Sequence, residues 1–323
     1  MILSAIVPVW NGREFLARLL DSLESQTLPG SELLVVDNGS TDGAPDLARA
    51  RGARVISMGR NAGFAAAVNR GIGEAKGDWI AVLNSDVELA PDYFSILTAA
   101  DAPFATGKIL SMRPGQSCAT IDGTFDLVTR AGLAFRVGHG RPDGPRFGQP
   151  RPIFSPPWTA ALFRAQLFRK IGLLDPAFES YLEDVDFGLR CARAGISGIY
   201  EPRAVARHYG SAALGRWHTE MVRLISRNQV LLLARHYPRE TLMRHWWRIL
   251  AGQLRWGAAA ARRGAAWPWL IGKWQGARQF SAARAGSQVF GPEVLEQLLC
   301  ANEGLIRKID SDAPDSDAAH GAK

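Results

Sequence analysis

Asp86 closes the tripeptide Asn84-Ser85-Asp86 directly after the water-avoiding run Trp79–Leu83. A carboxylate at the end of a buried strand can bind a divalent ion that also bridges the diphosphate oxygens of a ligand. The same three residues also suit a side-chain-capped turn. Asp37 and Asn38 end another apolar run, in VVDNGSTDG. There a carboxylate can accept the imide N–H of uracil or thymine; turn chemistry accounts for 39–42 but less readily for Asp37. In GRNAGFAAAVNRGI the small residues Ala62, Gly63, Ala65 and Ala66 let backbone and ligand approach closely, and Arg60 offers charge to a phosphate. YLEDVDF gathers Glu183, Asp184 and Asp186, either as the acid-rich first turn that a helix dipole favours or as reacting groups. His208, in ARHYGSAA, is a metal ligand if Asp86 holds metal and otherwise the satisfied partner of a backbone group.

These groups sit at the ends of regular elements. Apolar runs at Leu3–Val9, 32–37, Arg54–Ser57 and Trp79–Leu83 have strand length, and 13–23, 45–51 and 64–75 have helical length and spacing. Such alternation predicts an α/β fold with a mostly parallel sheet and helices on both faces. PVWNG, DNGSTDG, GRNAGF and NSD all follow carboxyl ends of strands, the edge where open α/β sheets bind ligands, so one site is expected there. Residues 104–153, with the Gly-, Pro- and Arg-rich RPDGPRFGQPRP, read as an excursion or mobile flap. Beyond it, Val185, Leu189 and Ala192 share a helical face that Gly195 ends, and two short strands are expected at 198–200 and 204–208. From about residue 213 the pattern is helical, and 310–323 has the composition of a disordered tail.

The chain has 323 residues, 47% hydrophobic and 21% charged, enough for a large α/β domain with an appendage. A net charge of +7 favours anionic partners without choosing among them. Cys118, Cys191 and Cys300 have neither disulfide-framework nor zinc-site spacing, which suits a reducing cytoplasm. The start MILSAIVPVWNG reads as a core strand rather than a leader, and no run reaches the roughly 18 apolar residues of a membrane span. There is no GxGxxG and no GxxxxGK[ST], so dinucleotide-binding and P-loop readings lose their main support.

Taken in order, IVPVWNG, VVDNGSTDG, RNAGFAAAVNRGI, AVLNSDVEL, YLEDVDFGLRCARAG and ARHYGS resemble the motif succession of family 2 glycosyltransferases, closest to the rhamnosyltransferase-like branch. The resemblance covers residues 2 to about 237. It implies a GT-A fold over 1–237, followed by a helical region at 238–309 and the tail. It further implies a pyrimidine nucleotide-sugar donor (dTDP-rhamnose or a UDP-sugar), a divalent cation (Mg2+ or Mn2+), inversion at the anomeric carbon, and a glycan or lipid-linked saccharide acceptor. By position, Asp37 would read the pyrimidine and Asn84 the ribose or sugar. Pro8, Asn11, Arg60, Asn61, Gly63, Asn69 and Ser85 would complete the donor site, and Asp86 and His208 the metal end. Asp184 would be the general base, with Glu183, Asp186 and Trp158 orienting or meeting the acceptor. Two departures stand out: Asn84 replaces the first aspartate of the usual DxD, and Thr159-Ala160-Ala161 stands where many relatives have glycine. A sugar-phosphate nucleotidyltransferase would want a Gly- and Lys-bearing loop that PVWNGREF lacks. A non-catalytic carbohydrate-assembly subunit would lack one of Asp86, Asp184 and His208.

Between residues 239 and 284 lie nine Lys or Arg and six Trp against one acid, Glu240. Met243, Trp247, Leu250, Leu254, Ala258 and Ala261 form one helical stripe edged by Arg244, Arg248, Arg255 and Arg262. Such a helix either lies on an anionic membrane surface, at the inner face of the cytoplasmic membrane, or packs its stripe on the catalytic domain. Nucleic-acid binding is not expected, because no recognised binding motif accompanies the charge.

Overall fold

The computed structural model describes residues 2–27, 31–112, 119–210 and 217–311. Cys118, the 211–213 end of the His208 motif and most of the expected tail lie outside them. In the first part, strands and helices alternate as the apolar runs dictate: β1 (Leu3–Val9), α1 (Arg13–Glu24), β2 (Ser31–Asp37), α2 (Ala44–Ala50), β3 (Arg54–Ser57), α3 (Phe64–Glu74) and β4 (Trp79–Leu83). They form a parallel block in the order β3-β2-β1-β4. Side chains of a strand alternate between faces, and the core divides accordingly. Leu3, Ala5, Val7 and Val9 join Leu16, Leu19 and Leu20 of α1, whereas Ile6 joins Val68 of α3 on the other face.

There follow β5 (Val87–Leu89), α4 (Tyr93–Ala99), β6 (Phe104–Ser111), β7 (Thr120–Gly123), β8 (Asp126–Val128), β9 (Ala134–Arg136), β10 (Arg151–Ile153), β11 (Ala160–Arg164), α5 (Ala165–Ile171), α6 (Glu183–Arg193) and β12 (Gly198–His208). β11 runs antiparallel between β4 and β6, and β12 lies parallel to β6. The segment 104–153 is therefore no loose excursion. β6 is a strand of the main sheet, and β8 and β9 form a separate antiparallel pair. Their partners come from distant sequence, so local strand-helix alternation gave no sign of them. Likewise the two strands expected at 198–200 and 204–208 are one, β12, whose register with β6 shifts between Glu201 and Val205 around Pro202, which has no N–H to donate.

The last four helices are α7 (Thr219–His236), α8 (Arg239–Ala261), α9 (Ala266–Ala285) and α10 (Pro292–Ser311). α10 returns to the sheet-bearing half. Leu295 and Leu299 are buried with Leu231, Leu232 and Tyr237 of the α7 region. Asn302 Nδ2 donates to the Val128 carbonyl at 3.0 Å, and Arg130 Nη1 meets a Glu303 oxygen at 2.8 Å.

Candidate active site

Because β1, β2 and β4 are parallel neighbours, their carboxyl ends open on one rim, with Val9 beside Asp37. Asn11, in the left-handed region at φ 53°, turns there. Its Oδ1 accepts from Thr41 N at 2.9 Å, and its own N–H donates to Ser40 Oγ at 2.9 Å. Asp37 is buried and accepts from Ser40 N at 2.8 Å. Asn38, also buried, donates through Nδ2 to Asn61 Oδ1 and the Gly63 carbonyl, and its Oδ1 accepts from Ala62 N. The DNGSTDG and RNAG stretches are thereby one knotted surface, with the Arg60 and Asn61 residues exposed at its edge. Pro8 is buried within β1 opposite Val36. Asn84 and Ser85 are half-buried after β4, and the Asn84 N–H donates to the Thr159 carbonyl.

At the far side of the rim, His208 of β12 stands between two carboxylates. Nε2 lies 3.1 Å from Asp86 Oδ1, and Nδ1 lies 2.8 Å from Asp122 Oδ2. Burial alone would push the imidazole down, but the two carboxylates win and raise it to about 10. Burial opposes ionisation of Asp122, yet the hydrogen bond and charge of His208 hold it at about 2. Without a metal the ring is therefore a cation; a divalent ion that displaced the Nε2 proton would leave Nδ1–H on Asp122, the hydrogen bond that orients a metal-binding imidazole. Asp86 Oδ1 and His208 Nε2 thus suit a divalent cation. Among the described residues no cluster of three or more ligating side chains exists.

The acidic start of α6 is held differently. Arg136 of β9 forms a bidentate pair with Asp126 of β8, at 3.0 and 2.9 Å, and its Nη2 also reaches Asp184 Oδ2 at 3.0 Å. Gly123 makes room for it, since a Cβ there would fall 2.8 Å from Arg136 Cδ. Burial, then repulsion by Asp126, raises Asp184 to about 6, with Arg136 pulling the other way. Burial and the neighbouring Asp184 charge push Glu183 well above the usual range, and its Oε2 has no hydrogen-bond partner among the described residues. Burial and mutual repulsion thus raise both carboxyls, and of the two only Asp184 is hydrogen-bonded to Arg136. Asp186 points elsewhere: it is buried against His236 Nε2 at 2.8 Å and Arg190 Nε at 3.0 Å, tying α6 to α7.

The approach to α6 is strained. Glu179, Tyr181 and Leu182 all have φ near +60° to +70°, each costing on the order of 1 kcal/mol or more. Asn228 of α7 holds the turn by donating to the Phe178, Ser180 and Tyr181 carbonyls at 2.8, 3.0 and 2.7 Å, and Arg227 donates to those of Ala177 and Phe178. From the other side Gly63, at φ +88°, packs on Glu179, where a Cβ would come 2.8 Å from the carbonyl oxygen. Asn69 clamps the neighbouring chain, donating to Leu174 O at 2.7 Å and accepting from Leu174 N at 3.0 Å. Trp158 lies inside an aromatic cluster with Phe163, Phe168 and Phe187 and is 2% exposed, so its ring supports the core beneath α6 instead of lining the rim.

Two hydrogen-bonded groups result, Asp86–His208–Asp122 and Asp126–Arg136–Asp184, and the Arg136 charge also lowers Asp122 across the gap between them. Asp122, Asp126 and Arg136 were not singled out in the sequence. Their signal, the TIDGTFD carboxylates flanking Gly123, lay in the stretch read as a flap. Arg227 and Asn228 were more legible, because SRNQ is a polar run inside an otherwise apolar helix and is buried throughout.

This mixed sheet, with helices on both faces and its polar rim at the parallel ends, is the architecture of GT-A glycosyltransferases. It aligns with GalNAc-T7 solved with UDP, GalNAc and Mn2+ at a TM-score of 0.60 and 17% identity, over 74% of this chain and 48% of that one. It aligns with a mannosyltransferase from Pyrobaculum calidifontis, in complex with GDP-Man and Mn2+, at 0.51 and 16%, over 96% and 82%. The family model for glycosyl transferase family 2 matches residues 4–172, and the chain belongs to that family. It is 28% identical over 281 residues to the N-acetylglucosaminyl-diphospho-decaprenol L-rhamnosyltransferase of Mycobacterium tuberculosis strain H37Rv, covering 79% of this chain and 88% of the relative. It is 39% identical over 166 residues, 46% of each chain, to the succinoglycan biosynthesis protein ExoO of Rhizobium meliloti.

Proposed function

We propose that this glycosyltransferase moves a sugar, with inversion, from dTDP-rhamnose or a UDP-sugar to a hydroxyl of a glycan or lipid-linked saccharide during cell-surface polysaccharide assembly. The observation that carries it is a pair of buried networks, Asp86–His208–Asp122 and Asp126–Arg136–Asp184, near enough for the Arg136 charge to act on Asp122, which set a cation-binding pair beside a carboxylate of raised basicity. Asp37 and Asn11 would bind the pyrimidine side, and Arg60 would meet the phosphates. Asp86 and His208 would hold a Mg2+ or Mn2+ ion, which when bound neutralises charge on the departing diphosphate. The acceptor oxygen bonds to the anomeric carbon as the bond to the diphosphate breaks, and its proton passes to Asp184 Oδ. Arg136 holds that carboxylate in place; Glu183 Oε2, without a hydrogen-bond partner among the described residues, would orient the incoming hydroxyl.

Similar proteins support the ion and acceptor classes: both solved neighbours carry a nucleotide or nucleotide sugar with Mn2+, UDP in one and GDP-Man in the other, and the mycobacterial relative is named for a lipid-diphosphate acceptor. A lipid-linked acceptor would set the enzyme at the cytoplasmic face of the membrane as a peripheral protein; no helix among the described residues is long and apolar enough to cross one. The test is thermal stabilisation by a panel of nucleotide sugars with and without Mn2+. A rise in melting temperature confined to pyrimidine donors plus metal is expected. Equal stabilisation with a chelator present would remove the cation from the mechanism.

A further inference from the structure

An amphipathic helix normally buries its apolar stripe. α8 does the reverse. Met243, Trp246, Trp247, Leu250 and Leu254 are 51–65% exposed, while Thr241, His245, Gly252 and Ala260 are buried. α9 repeats the inversion: Trp267, Leu270 and Trp274 are 47–70% exposed, and Pro268, Gly272 and Gly276 are buried. The glycines explain how, because a Cβ at Gly276 would lie 2.7 Å from Val230 Cβ of α7, so α9 beds on α7 by its bare backbone and its indoles are left outside.

The two stripes share a side. α8 and α9 touch where Gly257 meets Trp269 and Gln253 accepts from Lys273. Around each helix these contact residues lie between the inward glycines and the exposed stripe, and in an antiparallel pair that order turns both stripes to the same outer face. No Asp or Glu occurs between residues 241 and 285. Arg244, Arg255 and Arg262 are exposed along the flank of α8, and the Arg278 guanidinium lies 4.7 Å from the Trp274 ring centroid.

We propose that this two-helix face is a docking surface for an anionic lipid bilayer, with its indoles and leucines at the headgroup boundary and its arginines on lipid phosphates. A second copy fits worse: pairing the face with itself would oppose arginine rows with no acid in the segment to match them. Docking is independent of the chemistry at the rim. Its benefit, presenting the site to a lipid-linked acceptor, rests on the glycosyltransferase reading above.

Flotation of the full chain with vesicles tests it. Binding to vesicles containing phosphatidylglycerol, weak binding to phosphatidylcholine alone and release by salt are expected. The triple substitution Trp247→Ser/Leu250→Ser/Trp274→Ser should lower partitioning about tenfold or more, and Arg244→Gln/Arg255→Gln/Arg262→Gln should flatten the salt dependence. If the triple variant melts early, Leu254→Ser/Trp267→Ser, equally exposed, replaces it. Absence of flotation, a serine variant that floats like the parent, or a lipid-independent dimer that the serines dissociate would each overturn the proposal. Donor stabilisation of the same variants in solution reads the rim separately: vesicle binding without it would sink the enzyme reading and leave the docking surface intact.

Discussion

Asp184 and Glu183 are adjacent and both buried, yet only Asp184 is hydrogen-bonded to Arg136, and the proposed roles rest on that difference. With Asp184 raised to about 6, transfer should rise with pH through that value and level off above it, because only the ionised carboxylate accepts a proton. An initial-rate profile at saturating donor checks this. Arg136→Gln removes the group that favours ionisation, so the rising limb should move to higher pH; an unmoved limb would separate Arg136 from the base. Asp184→Asn should lower turnover about 10²–10⁴-fold while donor affinity stays within about twofold. The raised carboxyl also has a stability signature: its folded pKa lies above the unfolded value, so its ionisation costs stability as pH rises above the unfolded value, and the parent should lose stability relative to the asparagine variant over that range in chemical denaturation.

At the scale of elements, α6 is aimed by α7. Asn228→Ala would strip three carbonyls in the left-handed turn of their donor, at about 1–3 kcal/mol in chemical denaturation, and should lower turnover more than a surface change of equal stability cost. Asp186 serves the same joint. Burial opposes its ionisation, but His236 and Arg190 hold its pKa below the usual carboxylate range. It therefore contributes stability that is present above the unfolded value and lost as pH falls through the lower folded one. Asp186→Ala, leaving both partners buried, should cost about 3–5 kcal/mol and blunt the acid dependence of unfolding.

At the scale of the whole molecule, the helices after 237 divide into α10, which packs on the catalytic half, and the α8–α9 pair, which faces outward. Deleting 239–323 would uncover the Leu231–Tyr237 core that Phe290, Leu295 and Leu299 cover, each buried side chain stabilising by about 1.5–3 kcal/mol. Insoluble or proteolysed protein is the expected outcome, with recovery in the soluble fraction as the measurement. The sequence by itself determined the strand-helix alternation of the first hundred residues, because periodicity and turn chemistry are local, and hence the rim that carries Asp37 and Asp86. It also marked the α8 stripe, though not which way the stripe points. Only the tertiary structure decided that Asp122 backs His208, that Asp126 and Arg136 hold Asp184, and that glycines rather than leucines face α7. Antiparallel pairing across long chain separations and the close approach of helix backbones are contacts between distant residues, and no local pattern encodes them.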